Sequence, residues 1–95
     1  MLVEDDQQVC AIVKKGLEEE NFEVDEANDG EKGYFLSSTK AYDLVILDIM
    51  LPKMNGLELC QKIRTNSHVP ILLLTALGTA ENVAMGLNQG ADDYL

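Results

Sequence analysis

The sequence predicts an open α/β fold built on a parallel sheet, and three observations predict it. Short apolar runs alternate with segments of helical period, the pattern of successive βαβ units. One run, Leu44-Val45-Ile46-Leu47, is unbroken and closed by acids at Asp43 and Asp48, as expected of a central strand covered on both faces. The chain is 95 residues long and 46% hydrophobic, enough for one core without disulfide or metal staples and too short for a second domain.

Each element follows from local pattern. Residues 1–3 read as the end of a first strand, and Asp6 is placed to cap a helix over 7–20 in which Val9, Ile12, Val13, Gly16 and Leu17 recur at helical spacing. Phe22 and Val24 alternate with Glu23 and Asp25, which predicts strand two there. Asn28-Asp29-Gly30 is a turn that also caps a short second helix ending near Ser38. Strand three occupies 43–48. Beyond a loop containing Pro52, Asn55 and Glu58 form a capping-box pattern, and Leu59, Cys60 and Ile63 line a third helix. Strand four covers 69–74. A fourth helix over 79–88 turns Val83 and Leu87 inward and ends at Gly90, after which Asp92-Asp93-Tyr94-Leu95 opens strand five. A sheet that begins inside its first strand and stops inside its last reads as truncated at both ends. The natural protein is therefore expected to be longer, with part of the apolar surface near strands one and five exposed or covered by a partner chain.

Seventeen acidic residues against seven basic ones leave a net charge of −10. Phosphate backbones are held mainly by Lys and Arg, so this chain is not expected to grip DNA by itself. No apolar run approaches the ~20 residues of a membrane span, and the acidic start lacks the basic leader of a signal peptide. A cytoplasmic protein with no membrane contact is expected. Cys10 and Cys60 stand far apart without His or Cys at metal spacing and read as buried free thiols. His68, in a polar loop, reads as solvent-exposed with no catalytic role.

In an open parallel sheet, ligands bind beyond the carboxyl ends of the strands, where the strand order reverses. Strand one delivers Glu4, Asp5 and Asp6 there, strand three delivers Asp48 and strand four delivers Thr75. With a flavodoxin-like order, 2-1-3-4-5, strands one and three are neighbours and their acids converge. Carboxylates packed about 4 Å apart repel by ~4 kcal/mol per pair, so a lasting cluster needs protons or a cation. Carboxylate oxygens with open positions for water and phosphate suit Mg²⁺, and a carboxylate in such a site can attack phosphorus. Asp48 has the right position for that. Structural uses compete: Asp6 as a helix cap, Thr75 as a turn residue, Tyr94 as a half-buried aromatic, Met50 as a surface apolar.

With those residues in hand, the whole chain resembles the receiver domain of bacterial two-component response regulators, a CheY-like fold. The motifs are Leu2-Val3-Glu4-Asp5-Asp6, the run from Asp43 through Asp48 to Pro52, Asn55-Gly56-Leu57-Glu58-Leu59, Pro70 through Leu74 to Thr75-Ala76, and Gly90-Ala91-Asp92-Asp93-Tyr94-Leu95. The Leu51-Pro52-x-Met54-x-Gly56 wording is most like the OmpR/PhoB class, whose members carry a C-terminal DNA-binding domain. The resemblance implies that Asp48 accepts a phosphoryl group from a phosphohistidine of a sensor histidine kinase. It implies Mg²⁺ held by Asp5, Asp48 and the backbone carbonyl of Met50, with Glu4 reaching it through water. Thr75 is implied as the hydroxyl that turns toward the phosphoryl group, Tyr94 as the aromatic switch, and Ala76 as the small residue that keeps the phosphate accessible. The implied output is a changed face at helix four and strand five, a homodimer when phosphorylated, and control of transcription through a domain outside this chain. No enzyme beyond self-catalysed phosphotransfer is implied.

The family's Lys, two residues past Leu95, lies beyond the sequence, as does the last helix. Met50 and Leu77 sit two residues after Asp48 and Thr75; both are apolar and cannot orient a hydrolytic water, which predicts a long-lived phosphoryl aspartate. Three rival readings turn on particular residues. A haloacid-dehalogenase-type phosphohydrolase needs an acid where Met50 stands. A flavin-type binder needs a phosphate-accepting loop where Glu4-Asp5-Asp6 would repel one. An interaction module that is never phosphorylated stays open as the alternative.

Overall fold

The computed structural model describes residues 1–74 and the backbone of Asp93 and Tyr94. The elements in chain order are β1 (Leu2–Val3), α1 (Gln7–Glu19), β2 (Glu26–Ala27), α2 (Gly30–Thr39), β3 (Val45–Asp48), α3 (Gly56–Arg64), β4 (Ile71–Leu74) and β5 (Asp93–Tyr94). The five strands form one parallel sheet, as the sequence pattern predicted, in the order β2-β1-β3-β4-β5 expected of a flavodoxin-like, CheY-like fold.

Strand parity sorts the side chains onto two faces. Val3, Val45, Leu47, Ile71 and Leu73 pack with Leu59, Cys60 and Ile63 of α3 and with Tyr34 and Leu36 of α2. Leu2, Ile46, Leu72 and Leu74 point the other way, toward Cys10, Val13 and Leu17 of α1. Leu72 and Leu74 are only half-buried there, whereas Ile71 and Leu73 are each 1% exposed. Both cysteines are buried free thiols, and His68 is exposed.

Local signals set the helix ends. The Asp6 carboxylate accepts from the Gln8 and Val9 amides at 2.9 and 3.2 Å, capping α1. At the other end Asn21 takes a left-handed φ of 68°, and the Asn21 and Phe22 amides donate to the Glu18 and Leu17 carbonyls, which reverses the chain. Asp29 caps α2 through the Lys32 amide, and Asn55 caps α3 through the Glu58 amide at 2.9 Å.

One expectation is corrected. Phe22 and Val24 do not form strand two; pairing begins later, at Glu26↔Leu2 and Ala27↔Val3, and Phe22 is exposed. An extended segment becomes a strand only beside a partner, and β1 offers one only from Leu2 onward. The predicted helix over 79–88, with Val83 and Leu87, lies outside the described residues, as do Thr75, Ala76 and Leu77. Among the described residues no helix is long and apolar enough to cross a membrane.

Candidate metal centre

β1 and β3 are adjacent and in register, Leu2 beside Ile46 and Val3 beside Leu47. Their carboxyl ends therefore open at one level, and the residues that follow face a common space. Glu4, Asp5 and Asp48 each offer a carboxylate oxygen there, all within 4.8 Å of one another. Asp48 is 9% exposed and Glu4 only 4%, while Asp5 is exposed at the mouth. Asp6, the fourth acid, turns away to cap α1.

The cluster is held by backbone donors. The Asp6 amide donates to Glu4 Oε1 at 3.0 Å, and the Met50 amide donates to Asp48 Oδ1 at 3.0 Å. Even so, the Glu4 carboxyl is pushed up from 4.5 to about 7. Burial is the largest cause, the carboxylates of Asp48 and Asp5 add to it, and the Asp6 amide works against it. At 4.8 Å two carboxylates still repel by about 3.5 kcal/mol at an effective dielectric of about 20. The site thus favours either a proton or a cation.

Its donor set fits a small hard cation. Asp5 and Asp48 each offer an oxygen that would bind such an ion, and Glu4, within 4.8 Å of both, stands close enough to reach it through water.

The loop after β3 is shaped by a glycine whose importance the sequence reading missed. Gly56 opens α3, and its amide donates to the Ile49 carbonyl at 2.9 Å. A Cβ on Gly56 would stand 2.8 Å from the Asp48 carbonyl carbon and 2.8 Å from the Ile49 Cα, with the Asp48 carbonyl oxygen also in its way. Only glycine allows α3 to start so close to the residue that carries the site. A glycine at a helix start signals permissiveness, but nothing in the local pattern reveals which backbone passes beside it.

The other sequence-derived residues are placed as follows. Met50 is 61% exposed, two residues beyond Asp48. β4 follows β3 in register, with Leu74 beside Asp48, so β4 ends at the level of the cluster; Thr75 and Ala76 lie outside the described residues. Tyr94 is described only through its backbone, paired with Leu73.

The response regulator receiver domain family matches residues 1–95, the whole of the chain. The chain is a response regulator receiver domain. The receiver is 51% identical over 96 residues to the transcriptional regulatory protein CusR of Escherichia coli (strain K12), an alignment covering 100% of this chain and 42% of CusR. It is 42% identical over 95 residues to the response regulator ArlR of a Staphylococcus saprophyticus strain, covering 100% of this chain and 43% of ArlR. The receiver therefore spans about two-fifths of the length of these relatives. Among solved structures, the BeF3-activated N-terminal receiver domain of Klebsiella pneumoniae RstA superposes with a TM-score of 0.94 at 35% identity, covering 99% of this chain and 80% of that one. The Francisella response regulator 1452 receiver domain gives 0.93 at 35% identity, covering 99% and 78%. The resemblance drawn from the sequence motifs, with its OmpR/PhoB leaning, agrees with these relatives.

Proposed function

We propose that this receiver accepts a phosphoryl group on Asp48 from the phosphohistidine of a sensor histidine kinase. The observation that carries the reading is the convergence of Glu4, Asp5 and Asp48 within 4.8 Å at the carboxyl end of the sheet, with Asp48 closing a buried central strand. An Asp48 oxygen attacks phosphorus, the phosphorus–nitrogen bond of the donor breaks, and the imidazole leaves with the electron pair and takes up a proton. The Met50 amide, bound to Asp48 Oδ1, holds the carboxylate in orientation, leaving its other oxygen as the nucleophile.

Asp5, Asp48 and the Met50 backbone carbonyl are assigned to hold Mg²⁺, with Glu4 acting through water. When bound, the ion supplies positive charge that offsets repulsion between the carboxylates and the incoming phosphoryl oxygens. Thr75 turns its hydroxyl toward the new phosphoryl group, Ala76 leaves room beside it, and Tyr94 follows as the aromatic switch. The changed surface favours a homodimer and controls transcription through a DNA-binding domain outside this chain.

The test is intact mass after incubation with Mg²⁺ and acetyl phosphate, run on this chain, on Asp48→Asn and on a form extended past Leu95. A phosphoryl adduct that requires Asp48 is expected. An adduct that survives Asp48→Asn overturns the assignment to Asp48; no adduct on any form overturns the reading and leaves an interaction module that is never phosphorylated.

A further inference from the structure

The turn between β2 and α2 touches both halves of the acidic site. At its start the Ala27 carbonyl accepts from the Glu4 amide at 2.9 Å, fixing the backbone from which the Glu4 carboxylate projects. Three residues on, Gly30 opens α2 against Met54, in the loop that runs from Asp48 to α3. A Cβ on Gly30 would stand 2.9 Å from the Met54 Cβ and 2.9 Å from the Met54 carbonyl oxygen, closer than packed atoms approach. The carbonyl is backbone, so no change of rotamer moves it aside.

The loop itself has little room to yield. The Leu51 and Gly56 amides both donate to the Ile49 carbonyl, at 3.0 and 2.9 Å, and the Met54 amide donates to the Pro52 carbonyl at 2.7 Å. Lys53 takes a left-handed φ of 65°. Ile49 and Leu51 are buried, and the Met54 side chain packs on the same core cluster. Met50 lies inside this loop, its amide on Asp48 Oδ1 and its carbonyl assigned to Mg²⁺. The α2 side is equally fixed: Asp29 caps the helix through the Lys32 amide at 2.8 Å, and the Gly33 amide donates to the Asp29 carbonyl at 3.1 Å. A push at Met54 is therefore passed along the loop toward Met50 rather than absorbed.

We propose that Gly30 is a positioning residue for the Asp48 site. Lacking a side chain, it lets α2 seat on the Met54 backbone, so that residues 27–30 brace the end of β1 against the loop that presents Met50. The link from Ala27 to Gly30 spans no more than about 11 Å and so has little slack. This role rests on the reading of Asp5, Asp48 and the Met50 carbonyl as the Mg²⁺ site.

The test sets Gly30→Ala beside Gly33→Ala, about one turn further along α2. The three nearest neighbours of a Cβ on Gly33 would be methyl carbons of Val3 and Leu59, at 3.0 to 3.2 Å, so it crowds the core rather than the loop. Met54→Ala, which trims the loop's side of the contact and adds no atom, is read as well. Amide proton–nitrogen spectra in chelator and calorimetric titration with Mg²⁺ are taken on each. Gly30→Ala is expected to shift the Met50 amide resonance in chelator and to weaken Mg²⁺ binding by roughly tenfold, the scale on which residues supporting a metal's ligands act. Met54→Ala should move the same amide and weaken Mg²⁺ in the same direction. Gly33→Ala should leave the Met50 amide in place and Mg²⁺ affinity within about twofold of the parent. An unmoved Met50 amide in Gly30→Ala, or equal weakening of Mg²⁺ by Gly33→Ala, overturns the role; where Gly30→Ala does not fold, the Met50 amide in Met54→Ala decides. Spectra in chelator test the brace without the metal, so a parent chain that binds no Mg²⁺ overturns the metal assignment instead.

Discussion

Replacing Glu4 by Gln removes the charge that the metal-free site tolerates least. The Glu4 carboxyl rises from 4.5 to about 7 on folding, chiefly through burial. A folded pKa above the unfolded one means that the stability contributed by its proton is fully present below 4.5 and is lost as pH rises through about 7. The difference corresponds to about 3 kcal/mol at pH 8, the same order as the repulsion between two carboxylates at the spacing seen here. Glu4→Gln keeps an oxygen for the Asp6 amide and carries no charge. In chelator at pH 8 it should stabilise the chain by up to about 3 kcal/mol, and at least several degrees in thermal midpoint for a domain of this size. The gain should shrink as pH falls toward 5, and Mg²⁺ should stabilise the unsubstituted chain more than the variant. The assay is thermal unfolding by circular dichroism at pH 8 and pH 5, in chelator and in Mg²⁺. A variant no more stable than the parent at pH 8 in chelator, or a gain that does not fall with pH, refutes the account of Glu4 as a buried, repelled carboxylate.

Gly56→Ala forces a methyl group into the backbone at Asp48 and Ile49; a loss of about 1–3 kcal/mol in denaturant unfolding is expected, with a drop in Mg²⁺ affinity by titration. Gly16, within α1, has open space around the site of a Cβ, so Gly16→Ala should stabilise by about 0.5–1 kcal/mol, and a destabilised variant would contradict that packing. Leu59 is fully buried between α3 and the sheet; truncation to Ala should cost about 2–5 kcal/mol in urea unfolding without altering the carboxylate cluster. Met50, exposed two residues beyond Asp48 and apolar, cannot position water. A phosphoryl group on Asp48 of the form extended past Leu95 should therefore outlast many seconds when followed by intact mass, and loss within seconds would count against this role.

What could be read along the chain was what neighbours in sequence control. Asp6, Asp29 and Asn55 cap their helices because a side-chain oxygen needs only the amides two or three residues on, and those are supplied by the helix itself. The unbroken run ending at Asp48 announced a central strand because burial on both faces removes every polar position; the alternation of elements announced a parallel sheet, and its 2-1-3-4-5 order came with the flavodoxin-like resemblance. Strand two could not be placed in the same way. Phe22 and Val24 alternate as well as any edge strand, yet a strand exists only where a partner's amides and carbonyls stand opposite, and β1 meets this segment first at Glu26. Glu4 and Asp5 lie more than forty residues from Asp48. Their types and strand ends were legible, but the 4.8 Å spacing, the burial of Glu4 and its raised pKa come from the register between β1 and β3. Gly56 was legible only as one member of the motif from Asn55 to Leu59; its need to be glycine comes from the Asp48 backbone passing beside it. Short-range hydrogen bonding and hydrophobic period belong to the sequence alone, whereas desolvation, repulsion and steric contact depend on which distant segments packing brings together.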